Sequence, residues 1–224
     1  MNDDRWERMA ALSGVLVGIL FVAIIALAGE LPKAPASGTE VTAYFARHHA
    51  SLLAVAYVEG LAGVVMIWFW GVARSRLAKW EGESARLSNV VLAAGAGQAL
   101  FYILNGAFVG ALAYHATRGV EPVAAEVLYR LGSAAFQVGA FPLGAAWLSA
   151  AIVGMRSRAL PAWLSWITGV LGLIALILRA IPEETYGPER IGSVAFLIVP
   201  LWFVVTGVVL WRRSSPAART TMAA

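Results

Sequence analysis

Apolar residues fill long, nearly unbroken runs along this chain, and polar residues gather in the short gaps between them. Six runs emerge, at about 9–28, 51–72, 88–114, 123–153, 161–180 and 191–211. Each is long enough for a helix rising 1.5 Å per residue to cross a hydrocarbon layer roughly 30 Å thick. Backbone polar groups in lipid must be satisfied within the segment, so runs of this length predict helices rather than an open sheet. The expectation is an all-α polytopic membrane helix bundle, six transmembrane helices in a single domain over residues 1–224.

Punctuation between the runs fits that reading. GELPKAPASG at 29–38 is a Pro-rich connection, and Ser37 followed three residues on by Glu40 has the spacing of a capping box. That spacing predicts a short interfacial helix from Thr39 to His49, just before the second span. Residues 74–87 read as a basic loop, and Pro122 opens the fourth span, which should kink near Pro142. Pro161 suits the first turn of the fifth span, and Pro200 falls near the middle of the sixth. Residues 212–224 read as a disordered tail. Ala26-Leu27-Ala28 resembles a signal-peptidase site, but a lead mixing Asp3, Asp4 and Glu7 with Arg5 and Arg8, before so long a run, favours a retained span.

Composition sharpens the class. Hydrophobic residues make up 60% of the chain and charged ones 13%, against about 25% charged in soluble domains. The net charge of +4 does not indicate nucleic acid, because Lys and Arg sit at the ends of apolar runs. The amino end, 74–87, 155–160 and the tail hold 11 of the 17 basic residues. An even number of spans with both termini inside satisfies that bias. The aromatics Trp68, Phe69, Trp70, Trp147, Trp163, Trp166 and Trp211 read as interface anchors and lipid-facing packing. With no cysteine, disulfides and thiolate chemistry are excluded.

Several stretches, WERMAALSG, GELPKAP, YFARHHASLLAVAYVEGLA, GVARSRL and RALPAWLSWITGVLG, together resemble a group of actinobacterial six-span integral membrane proteins classed as a domain of unknown function. The resemblance implies six spans in a bacterial plasma membrane and carries over no activity and no catalytic residue.

The chemistry therefore has to come from polar residues inside the runs. Glu59 lies eight residues after Ser51, about 12 Å into the second span. Arg130 in the fourth span and Asn105 in the third fall at a similar depth, about 10 Å from the same surface. Tyr102 and Gln98 precede Asn105 by three and seven residues and share its helical face, and Gln137 shares a face with Arg130. Ionisable groups are costly in hydrocarbon, which motivates a charge-paired Glu59–Arg130 cluster bonded to Tyr102 and Asn105 and extended by Gln98 and Gln137. These six are the candidate substrate-binding residues. Plainer arrangements compete: Arg130 paired with Glu126 one turn earlier or snorkelling to the outer surface, and Glu59 neutral against one neighbour.

Other features weigh less. His48, His49 and His115 fall near span ends, where solvated imidazoles are the ordinary reading, so no haem, other cofactor or metal is assigned. Glu183-Glu184 with Arg190 resembles the paired glutamates of intramembrane prenyl-protein proteases, but Gly187 and Pro188 break the helix that would align them. Gly14-x-x-x-Gly18 and Gly106-x-x-x-Gly110 offer small-residue faces for a homo-oligomer or a membrane partner. The expectation is a membrane scaffold, accessory or small-molecule-binding module without assigned catalysis, partnered by the lipid bilayer. A small-solute or proton-coupled transporter is the alternative, and a haem or quinone redox protein comes third.

Overall fold

The computed structural model describes residues 8–32, 36–177 and 188–213, with 188–196 described by backbone alone. Among them every regular element is a helix. In order these are α1 (Ser13–Ala28), α2 (Gly38–Arg47), α3 (His49–Glu81), α4 (Arg86–Ala116), α5 (Pro122–Val138), α6 (Ala140–Ser157), α7 (Ala162–Ile177) and α8 (Pro188–Arg212). Four stretches are long and apolar enough to cross a membrane: Arg8–Ala28, His49–Glu81, Arg86–Ala116 and Pro122–Ser157. The apolar helices Ala162–Ile177 and Leu197–Arg212 are shorter. The expected lead over 1–7, the loop around Glu183-Glu184 and most of the expected tail lie outside the described residues.

Local chemistry explains where the helices start and stop. The Ser37 hydroxyl accepts from the Glu40 amide at 3.3 Å while the Glu40 carboxylate accepts from the Ser37 amide at 2.8 Å, so the expected capping box starts α2. The amide-less Pro142 cannot bond back to the carbonyl of Val138, and the fourth apolar run is divided close by, at Gly139, into α5 and α6. The 74–87 loop is a correction. Arg74, Arg76 and Lys79 extend α3 as good helix formers, and the helix ends only at Gly82, whose φ of +97° stops it. Likewise Pro188 opens α8 rather than ending a loop, a position proline tolerates because a first-turn amide has no partner to lose.

The long antiparallel pair α3–α4 is the axis of the bundle, with α1 on α3, α8 on α1, α5 and α6 on α4, and α7 on α6. One stripe of α3 is buried: Leu52, Val55, Glu59, Ala62, Met66 and Phe69, spaced by threes and fours. Its opposite face shows Tyr57, Leu61, Val64 and Trp68 to the surroundings, and α1 shows Leu16, Ile19, Val22 and Ile25. Large aliphatic side chains exposed over whole helix faces suit a hydrocarbon solvent and would be a liability in water.

Two sequence-based expectations about packing are corrected. Phe69, Trp70 and Trp147 do not face lipid. They are almost fully buried and meet Trp202 and Phe203 of α8, with Phe69 and Phe203 ring centroids 5.0 Å apart and those of Trp147 and Trp202 5.2 Å apart. Trp68, Trp163, Trp166 and Trp211 are exposed. The glycine seams are also taken up inside the bundle. A methyl at Gly14 would strike the Phe203 carbonyl, one at Gly18 would strike Val204, and one at Gly106 or Gly110 would meet Glu59 or Ala56 of α3. These faces let α1 approach α8 and α3 approach α4, so they are not free for an oligomer or partner.

Candidate functional site

Glu59 occupies a core-facing register of α3, four residues after Val55 and three before Ala62, and is only 5% exposed. The facing stripe of α4 carries Gln98, Tyr102 and Gly106, all buried, with half-buried Asn105 beside Gly106. Gly106 lets the two backbones close in, since an added Cβ would lie 3.0 Å from Glu59 Cβ and 3.1 Å from its Oε2. That approach brings the Asn105 amide within reach. Its Nδ2 donates to both carboxyl oxygens of Glu59, at 3.1 and 3.2 Å.

The Tyr102 ring is stacked on Phe21 of α1 with centroids 5.1 Å apart and packs against Phe136 of α5 at 6.0 Å. Its hydroxyl has no hydrogen-bond partner, and neither does Gln98 Oε1 one turn away. Two buried polar atoms on the face of α4 that turns toward α3 leave hydrogen-bonding capacity that the protein itself does not use.

Arg130 does not join this group, which corrects the expected Glu59–Arg130 pairing. Its Nη2 lies 2.6 Å from Glu126 Oε1, the side chain is 66% exposed, and the pair spans one turn of α5. The inward positions of α5 are Ala125, Gly132 and Ala135. Arg130 is two residues from Gly132, a rotation of roughly 200°, so it shares the depth of Glu59 and points the other way. Gln137 is half-buried on α5 and Ser133 is exposed. Of the six candidates, the structure joins Glu59 to Asn105 and places Tyr102 and Gln98 on the same buried face of α4.

The histidines stay at the ends of helices and are exposed. His48 is hydrogen-bonded through Nδ1 to the Tyr44 carbonyl at 3.0 Å, and His115 packs edge-on against Tyr114. Among the described residues no group of three or more His, Asp or Glu converges as a metal site would require. At the same end of the bundle the Tyr44 hydroxyl donates to the Ala28 carbonyl at 2.7 Å and the Tyr129 hydroxyl to the Pro32 carbonyl at 2.6 Å. These two bonds, which no spacing rule in the sequence announced, tie α2 to the end of α1 and α5 to the connection that follows α1. Val41 and Phe45 of α2 pack with Leu52 of α3, Leu112 of α4 and Ala125 of α5.

The class these features define is a helical bundle with four stretches long and apolar enough to cross a membrane and, among the described residues, a buried carboxyl–amide contact between two of its helices. No family model, curated protein or solved structure matches the chain, and the actinobacterial resemblance gains no support from that quarter.

Proposed function

We propose that the chain is a six-span integral membrane protein of a bacterial plasma membrane, with both termini inside, that serves as a small-molecule-binding or accessory membrane module. The observation that carries the binding role is the buried Glu59–Asn105 contact beside two buried polar atoms without partners, Tyr102 Oη and Gln98 Oε1. A structural crosslink between helices needs only the first of these. Leaving a hydroxyl and an amide oxygen bare inside a membrane bundle is costly unless water or a small polar solute meets them.

Transport is the second reading, and the divided α5–α6 run and Pro200 inside α8 favour it, since interrupted helices line transport sites. With Arg130 turned outward and paired to Glu126, the suitable solutes are neutral or cationic, or the proton itself. Membership of the actinobacterial family belongs to the same proposal.

Thermal-shift screening of neutral and cationic solutes on detergent-purified wild type, Glu59→Gln and Asn105→Ala tests the binding role. A solute that raises the wild-type midpoint and loses its effect in both variants supports it. Equal responses in all three reduce the contact to a crosslink. Topology is read separately, because the chain has no native cysteine. Single cysteines at Glu83 and Thr117 should react with an impermeant maleimide from the inside and the outside respectively, and the reverse pattern overturns the orientation.

A further inference from the structure

The buried stripe of α4 that meets Glu59 at Gly106 does not stop there. It continues through Tyr102, Gln98 and Gly95 to Ser88, all buried. Tyr102 and Gln98 lie about 6 Å apart along the helix axis, and Gln98 and Gly95 about 4.5 Å. Gly95 makes way for Trp70 of α3, since a methyl there would strike the indole ring. Trp147 of α6 joins the same place through Trp202, whose ring centroid lies 5.6 Å from that of Trp70 and 5.2 Å from that of Trp147. Four side-chain atoms along this track have no hydrogen-bond partner: Tyr102 Oη, Gln98 Oε1, Trp70 Nε1 and Trp147 Nε1. Each of the four residues is more than nine-tenths buried. Trp202 differs, because its Nε1 donates to Thr168 Oγ1 at 2.8 Å. Where the stripe ends, the Ser88 hydroxyl donates to Glu81 Oε2 at 2.6 Å, and Glu81 is half-buried. The other direction from Glu59 is sealed. Val41 and Phe45 of α2 pack there with Leu52 and Leu112, and the Tyr44 and Tyr129 hydroxyls are spent on the Ala28 and Pro32 carbonyls.

We propose that a file of internal waters follows this track and connects Glu59 to the Ser88–Glu81 end of α4, giving its carboxyl a one-sided route for protons. The inference rests on the binding reading above and deepens it, naming the proton as the solute. Each of the four atoms, left dry, carries the cost of a bare polar group in an apolar interior. Together they offer both kinds of hydrogen bond: the tyrosine hydroxyl donates and accepts, the amide oxygen accepts, and the two indole N–H groups donate. They do not bond one another. Gaps of about 4.5–6 Å along α4 suit one or two waters at a spacing of about 2.8 Å. A buried water bonds about three polar partners, which neighbouring waters and these groups supply between them. A proton then passes from oxygen to oxygen: Glu59 gains one, bulk water at the Glu81 end gives one up, and no charge is left between. Gln98 and the two indoles hold the waters and do not themselves relay. Rings packed at 5.2–5.6 Å keep anything larger than water out of this end.

The test reads the indoles directly. The full chain, isotope-labelled at tryptophan and held in detergent micelles, is followed by magnetic resonance for exchange of each Nε1 proton with water, with single Trp→Phe variants assigning the signals. Trp70 and Trp147 should exchange about tenfold faster than Trp202, whose bond to Thr168 must break first. Opening of the whole cluster would release all three indoles alike, so Trp202 controls for it. Gln98→Leu/Tyr102→Phe removes two anchors of the file at nearly constant volume and should slow Trp70 and Trp147 to the Trp202 rate. Either substitution alone serves if the pair does not fold. Equal rates for the three indoles in wild type, or rates that the variant leaves unchanged, overturn the file. The proton route is read by a stopped-flow pH jump with a soluble dye. Wild type should take up protons in a fast phase that Glu59→Gln lacks and that Gln98→Leu/Tyr102→Phe loses. A fast phase common to all three overturns the route. Dry indoles, with a solute that still raises the wild-type thermal midpoint, would strike the file and leave the binding reading standing. Wet indoles with no such solute support the file and remove the larger solutes.

Discussion

The contact between Glu59 and Asn105 can be weighed by a double-mutant cycle. Truncating Asn105 to Ala removes the single donor that serves both carboxyl oxygens at 3.1 and 3.2 Å. Those lengths lie at the long end of good N–H···O geometry, and one nitrogen shared between two acceptors counts as one interaction. Interhelical hydrogen bonds in membrane proteins average about 0.6 kcal/mol and reach about 1.7 kcal/mol, so a coupling near 1 kcal/mol is expected. Asn105→Ala alone should cost more, about 2–3 kcal/mol, because it also strands a buried carboxyl, a loss of about 1–3 kcal/mol for a buried group. Glu59→Ala removes that stranded group, so the double variant should be about 1 kcal/mol more stable than the two single losses predict.

Equilibrium unfolding of the full chain in mixed micelles with rising dodecyl sulfate, followed by circular dichroism, supplies the four stabilities. Leu104→Ala, next to Asn105 but 43% exposed, controls for simple truncation on α4. Additivity within about 0.3–0.5 kcal/mol, together with an Asn105→Ala cost no greater than that of Leu104→Ala, would refute the reading of Glu59 as an acid held by its neighbour.

Three further outcomes follow from the packing and the caps. Gly14→Ala places a methyl against the Phe203 carbonyl and should cost about 1–3 kcal/mol by overpacking; Gly60→Ala, with nothing within 4 Å of the new methyl, should instead gain about 0.5–1 kcal/mol of helix propensity, and the same sign for both in micelle unfolding would contradict the α1–α8 contact. Thr168→Val removes the acceptor of the Trp202 Nε1 bond, 2.8 Å long and buried between α7 and α8, and should cost about 1–3 kcal/mol in the same assay. Glu40 is held below the ordinary glutamate range by the Ser37 amide and then by the Ser37 hydroxyl. A depressed folded value means its contribution is complete above the ordinary value of 4.5 and is lost as pH falls through the lower one. Protection factors of α2 amides should therefore drop in that acid window in wild type and not in Glu40→Gln.

What the sequence made legible was position along each helix, and what it hid was rotation about it. Run lengths and prolines located the long helices and the division of the fourth run, and Ser37 with Glu40 located the start of α2, because these signals are local. The Glu59–Asn105 contact was also within reach, since both residues fall at one depth on the most extensively packed neighbouring helices. Partners brought together from distant segments were not. Trp70, Trp147 and Trp202 meet only after three helices are packed.

Arg130 is the instructive case, because depth alone put it beside Glu59 and its angle on α5 put it outside. The i,i+4 order, with Glu126 nearer the helix start, is the favourable one for an acid–base pair, and the helix assembles it before any tertiary contact forms. Exposed pairs of this kind contribute about 0.3–0.5 kcal/mol. Arg130→Ala should therefore shift micelle unfolding by no more than that and leave the Glu59–Asn105 coupling unchanged. If Glu59 instead drew on Arg130, the same substitution would leave a buried acid uncompensated and cost about 3–5 kcal/mol, as breaking a buried ion pair does. A tenfold gap between the two expectations makes this single substitution decisive: a loss of several kcal/mol would return Arg130 to the interior and reopen the site to anions.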